Sequence, residues 1–191
     1  MHKGKLMSRI NRILQVLFII IIFLISSQVL KAQSSFGIGC NLGGGTIGGN
    51  LPAQGSFNSS IFVEGNPGIP GNIIFRLSFV FASDINILLP QNSSRYSPFI
   101  KGYSLKGITS ETVSETIYIE EGLGLLALND RTFSNVNEWD YGASFSIMPG
   151  IDLRDDSKTG FKLGVGSEYG LTFTNTNVWF LSIHFQAEYY F

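Results

Sequence analysis

Few residues of this 191-residue chain could carry chemistry, and the most suggestive sit near its end. Ser182, His184 and Glu188 share one parity of the segment Trp179–Phe191, and a serine, a histidine and a carboxylate are the parts of a nucleophilic triad. Their spacing works against that reading. On an extended strand Ser182 and Glu188 stand about 20 Å apart, on either side of His184, which is itself about 13 Å from Glu188. The other histidine, His2, lies in the N-terminal extension, and a single cysteine, Cys40, excludes a disulfide framework and a Cys-rich metal site. Asp152, Asp155 and Asp156 lack the glutamate of a calcium loop and fit a solvated turn. Gly37-x-Gly39 and Gly43-Gly44-Gly45 carry no Gly-Lys-Ser/Thr and open no helical pattern, so they read as packing and turn glycines. No catalytic residue, metal or cofactor is expected.

The composition narrows the class further. Hydrophobic residues make up 44% and aromatics 13%, while charged residues reach only 14%, well below the usual quarter. Such a chain is neither disordered and acidic nor built to bind nucleic acid. The first 32 residues have a basic head (Lys3, Lys5, Arg9, Arg12), an apolar run from Val16 to Ile25, and Ala32 ahead of Gln33. That is the layout of a secretory signal peptide cleaved after Ala32, and the run is too short and too interrupted for a spanning helix. Cys40 lies too far past the apolar run to be a lipidation site. Removing residues 1–32 takes five of the 13 basic residues and no acidic one, leaving 8 against 14 and a net charge of −6. Clustered Lys and Arg for a phosphate backbone are missing.

From residue 33 onward the pattern has period two. Phe161, Leu163, Val165, Tyr169, Leu171 and Phe173 alternate with Lys162, Gly164, Gly166, Glu168, Gly170 and Thr172. Trp139, Tyr141, Ala143, Phe145 and Ile147 alternate with Glu138, Asp140, Gly142, Ser144 and Ser146. The last segment repeats this, with Phe180 and Tyr190 as exceptions. A broad aromatic face opposite one of Gly, Ser and isolated charges is the inverse of a soluble cup and suits a barrel with lipid outside. Eight strands are expected, at about 35–43, 57–65, 72–83, 98–107, 115–127, 138–149, 160–172 and 177–191. The barrel must close, because unpaired backbone groups in lipid cost several kcal/mol each. Outer loops are expected at about 44–56, 84–97, 128–137 and 173–176. Two features strain the scheme: segment 57–65 alternates weakly, and Glu120-Glu121 puts one carboxylate on the lipid face unless a bulge or a rim position relieves it.

By parity, Arg76, Lys106, Glu120, Glu138, Asp140, Lys162, Glu168, His184 and Glu188 face the interior. An eight-stranded barrel is just wide enough for side chains to fill, so these residues are expected to form a plugging polar network. A narrow pore for small solutes is the alternative.

The final segment Phe185-Gln186-Ala187-Glu188-Tyr189-Tyr190-Phe191, with an aromatic last residue, resembles the assembly signal of bacterial outer-membrane barrels. With the signal peptide, the Gly-rich strands and Tyr169-Gly170-Leu171, residues 33–191 resemble the small outer-membrane β-barrel superfamily (OmpA/OmpX-like, porin-type). The resemblance implies an all-β, transmembrane, antiparallel up-and-down barrel in the outer membrane. It also implies contact with outer-membrane lipids and lipopolysaccharide, and recognition of Phe185, Ala187, Tyr189 and Phe191 by the barrel insertion machinery. The superfamily includes lipid A acyl-chain enzymes that use a His-x-Ser pair, but His184 is followed by Phe185 and Gln186. The expected role is therefore structural, adhesive or surface-binding, by a monomer, without catalysis. A soluble periplasmic ligand-binding barrel is the remaining alternative.

Overall fold

Alternation of apolar and polar residues becomes alternation of exposure in the computed structural model, which describes residues 36–49, 52–68, 73–88, 96–155 and 159–191. The stretch read as a signal peptide lies outside the described residues. Eight strands follow one another: β1 (Phe36–Gly48), β2 (Gln54–Gly65), β3 (Ile74–Asp84), β4 (Phe99–Thr112), β5 (Ile117–Arg131), β6 (Glu138–Asp152), β7 (Gly160–Thr172) and β8 (Trp179–Tyr190). Each pairs antiparallel with its sequence neighbours, and β8 pairs with β1, so the sheet is a closed barrel. A four-residue 3-10 helix, Ile85–Leu88, follows β3.

The register fixes the barrel's geometry. Partners traced from Ile38 run through Val63, Leu77, Leu105, Leu125, Ala143, Leu171 and Trp179 and return to β1 at Gly48, ten residues past Ile38. For eight strands that stagger corresponds to a tilt of roughly 40°. The residues on this circuit all take the outward parity, so it also traces the apolar belt. Leu125 is 72% exposed and Phe185 63%. Aromatic rings line both rims of the belt. Phe36, Phe191, Tyr189 and Phe161 form a chain of ring contacts 4.9–6.1 Å apart at the end holding the chain termini. Tyr103 stacks on Trp139 at 6.4 Å toward the opposite, loop end.

Several strands are longer than the sequence pattern suggests. β1 continues through Gly44, Gly45 and Thr46 to Gly48, and β4 runs on to Thr112. The Gly and Thr/Ser residues there carry little polarity contrast, yet pairing with both neighbours keeps them extended. The glycines serve close approach: a Cβ on Gly45 would strike the main-chain carbonyl of Leu181, and one on Gly124 that of Leu105. The expected loop at 44–56 shrinks to 49–53. Weak alternation in β2 has a simple cause, since its inward residues are Ser56, Asn58, Ser60, Phe62 and Glu64, a polar row broken by one aromatic.

No bulge relieves Glu120-Glu121, for pairing on both sides of β5 is continuous from Tyr118 to Asp130. Glu120 turns inward and is buried, while Glu121 stands exposed among the outward residues beside Thr109 and Ile147. It lies four residues from the start of β5, on the termini side of the belt. In a bilayer a carboxylate there would cost less than one at mid-depth but would still lose hydration. Glu121→Leu is expected to stabilise the barrel by about 1 kcal/mol, read as a higher urea midpoint for folding into phospholipid vesicles. An unchanged or lower midpoint would show that Glu121 already reaches water.

Candidate functional site

Among the described residues, ionisable groups converge in the interior, and the strands stack them in layers along the barrel axis. Nearest the termini, Arg76 on β3 gathers carboxylates from three other strands. Its guanidinium donates to Glu64 Oε2 at 2.6 Å, to Glu120 Oε2 at 2.9 Å and to Gln186 Oε1 at 3.0 Å, and it lies 3.6 Å from Glu188 Oε2. The same guanidinium rests 4.2 Å from the Phe62 ring centroid. A planar cation with five donors suits this bridging role better than lysine would. Lys162 on β7 closes the cluster by an ion pair with Glu120, with its ammonium 3.9 Å from the Tyr118 ring centroid. The Tyr190 hydroxyl donates to Glu64.

One layer further in, Lys106 on β4 pairs with Glu168 on β7 at 2.8 Å across the lumen. Beside that pair Ser182 Oγ lies 3.3 Å from His184 Nδ1. The third triad candidate is elsewhere, because Glu188 belongs to the Arg76 cluster. The carboxylate that faces Ser182 is Glu168, its register partner on β7. A cavity of about 10 Å³ lined by Asn41, Asn58, Ser60, Glu168, Ser182 and His184 is the free space there. That volume admits about one water, and no acyl chain or sugar.

Toward the loop end the lumen turns apolar. Ile47, Val80, Ala82, Ile100, Leu126, Leu128, Val178 and Phe180 form one buried cluster, with Val178 contributed by the β7–β8 connection. Above it, aspartates hold the connections, with Asp130 and Asp140 buried and Asp84 half-buried. Asp130 accepts from the Thr132 amide and hydroxyl, each at 2.7 Å. Asp140 accepts from the Thr174 hydroxyl at 2.7 Å, the Thr176 amide at 3.2 Å and the Thr176 hydroxyl. Asp84 receives the Asn86 amide at 2.9 Å.

Of the residues assigned to the lumen by parity, Arg76, Lys106, Glu120, Lys162, Glu168 and Glu188 meet in ion pairs. His184 is buried but hydrogen-bonds to a serine. Asp140 is buried at the loop end, where it fixes a connection instead of pairing with a cation. Glu138 is a correction: it is exposed, because β6 starts at that residue and lifts it clear of the lumen. Sequence reasoning missed Glu64, which hides in the weakly alternating β2. It also missed the apolar cluster, because apolar parity was equated with lipid; Val80, Leu126, Leu128 and Phe180 take the inward parity, and that was the available signal. Phe185, Ala187 and Tyr189 point outward on β8, and the Phe191 amide donates to the Phe36 carbonyl at 3.0 Å.

Removing one member of a buried ion cluster strands its partners. Arg76→Met leaves Glu64 and Glu188 without a cation and is expected to destabilise the folded barrel by about 3–5 kcal/mol, seen as a large drop in the temperature at which the folded gel band disappears. In a double-mutant cycle, Lys106→Met and Glu168→Gln should each destabilise alone and largely compensate when combined. Additive losses would mean that the two residues act independently.

No known family model matches the chain, and no curated protein matches its sequence. Solved structures do match in shape. Neisserial surface protein A aligns with a TM-score of 0.57 at 15% identity, over 83% of this chain and 99% of that one. Ail, the attachment invasion locus protein of Yersinia pestis, aligns at 0.47 and 14% identity over 83% and 97%. At such identities the likeness to the Neisserial protein is one of fold, and the fold of this chain is a closed eight-stranded antiparallel barrel.

Proposed function

We propose that the chain is an integral outer-membrane barrel without catalytic activity, exported by its N-terminal segment, cut after Ala32 and inserted as a monomer. The observation that carries this reading is the inversion of polarity on a closed sheet: ion pairs and serines inside, aliphatic and aromatic residues outside. In water such a surface would aggregate, whereas in lipid it is the solvated state. The termini end faces the periplasm and the four connections at the other end face outward, as an even strand count requires when both chain ends lie on one side. The barrel insertion machinery recognises β8 through Phe185, Ala187, Tyr189 and Phe191. Outer-membrane lipids and lipopolysaccharide surround the belt.

The lumen supports a scaffold rather than a conduit. Its ionic layers, the cavity of about 10 Å³ and the apolar cluster follow one another along the axis and fill it with side chains. What the barrel then offers the outside is its loop-end rim. Asp84, Asp130 and Asp140 pin parts of three of its connections, and that rim is the surface for binding or adhesion.

Cell fractionation with unboiled and boiled gel samples tests the location. A heat-modifiable band in the outer-membrane fraction, with Gln33 as first residue on N-terminal sequencing, is the expected result. Mature protein soluble in the periplasm without detergent would sink the proposal. Reconstituted in planar bilayers, the barrel should show no steady conductance, and regular single-channel steps would restore the pore reading.

A further inference from the structure

The charge on the outer face of the barrel is uneven in a way the scaffold role does not require. Arg76, Lys106 and Lys162 are consumed inside the lumen, and Arg154 pairs with Asp152 at 2.6 Å near the termini end. The remaining described cations, Lys101 and Arg131, both face outward at the loop end of adjoining strands. Register pairs Lys101 with Asn129 and Arg131 with Phe99, so the two cations are diagonal neighbours on one face. Neither makes an ion pair among the described residues. Lys101 is exposed, and the Arg131 guanidinium lies 5.9 Å from the Phe99 ring, with its Nε buried and without a hydrogen-bond partner. Of the nearby carboxylates, Asp130 turns inward with its Oδ1 held by Thr132, and Glu138, exposed at the start of β6, pairs with neither cation.

Directly below Lys101 on β4 is Tyr103, and Tyr103 forms the upper wall of a groove. This groove, about 220 Å³, runs down the outer face between Ile38, Ile61, Val63, Leu77, Phe79 and Tyr103. It is almost wholly apolar and lies within the lipid belt. Tyr103 packs edge-on against Phe79 at 5.4 Å on one side and stacks on Trp139 on the other. Two free cations above an apolar furrow have the polarity of a phosphorylated lipid lying along the barrel, head toward the loops and tail toward the termini. Anionic headgroups are an abundant partner at that depth able to neutralise Lys101 and Arg131.

We propose that Lys101 and Arg131 hold the phosphate of a membrane lipid whose acyl chain lies in the groove walled by Ile61, Leu77, Phe79 and Tyr103. The site rests on the membrane reading above but goes beyond it, for an inserted barrel needs no preferred lipid.

Trp139 supplies the readout, with Trp179→Phe as the background that leaves one indole. The full mature chain is folded into phosphatidylcholine nanodiscs and titrated with dioleoyl phosphatidic acid, and in parallel with inorganic phosphate. Saturable change in Trp139 emission is expected with the lipid and not with the free ion. Lys101→Gln and Arg131→Gln should each weaken the response roughly fivefold, and Leu77→Phe, which fills the groove, should weaken it with both cations intact. An unboiled gel of every variant reports insertion independently. A barrel that inserts but answers equally with and without Lys101 and Arg131, or equally to inorganic phosphate, overturns the site alone. A chain that fails to insert overturns the membrane reading and the site together.

Discussion

An eight-stranded barrel has almost no interior to spare, so every inward side chain must find its partner within the lumen. That constraint governs the rest of the structure. It explains why Arg76 serves carboxylates from three strands, since three separate cations would not fit. It explains the inward glycines too, which make room for bulky neighbours on adjacent strands: Phe62 lies where a Cβ on Gly39 would go, and Phe180 where one on Gly170 would go. Buried charges cost several kcal/mol each in desolvation, and the cross-strand pairs offset that cost while fixing which strands must be neighbours.

The interior is graded along its axis. Ionic bridges crowd the termini end, neutral hydroxyls and amides follow, and hydrocarbon fills the loop end. Ionic bridges tie β2, β3, β5, β7 and β8 together at one end, while nondirectional packing completes the other. The loop end gains its definition from aspartate–backbone hydrogen bonds at the connections.

Much of the fold was legible because an apolar face outside and charge inside leave a period-two trace that survives without any alignment. Parity placed Arg76, Lys106, Lys162 and Glu168 on the inner wall. Pairing was not legible, since which carboxylate meets which cation depends on the ten-residue stagger, and no local pattern encodes it. Rim positions misled in the same way: Gly44 and Thr112 look like turn residues but are held in strands by neighbours far away in sequence. Glu138 went astray because parity says which way a residue points but not whether the barrel wall still surrounds it. Phe180 and Tyr190, exceptions to the apolar pattern, were in fact the clearest pointers to what the lumen contains.

The seam between β1 and β8 carries a consequence for how the barrel is made. It joins Gly37 to Tyr190 and Gly48 to Trp179, so the last ladder to form links residues more than a hundred positions apart. Non-local closure of this kind is slow, and until it happens both edges present unpaired amides and carbonyls. β1 meets that event with glycine at 37, 39, 43, 44, 45 and 48, a strand edge with few side chains to obstruct its partner. The Glu64–Tyr190 contact spans the same seam from β2 to β8, so the interior cannot finish assembling before the wall does. Closure is thereby a single late commitment: a chain that lacks its final strand has neither a sealed sheet nor a neutralised interior.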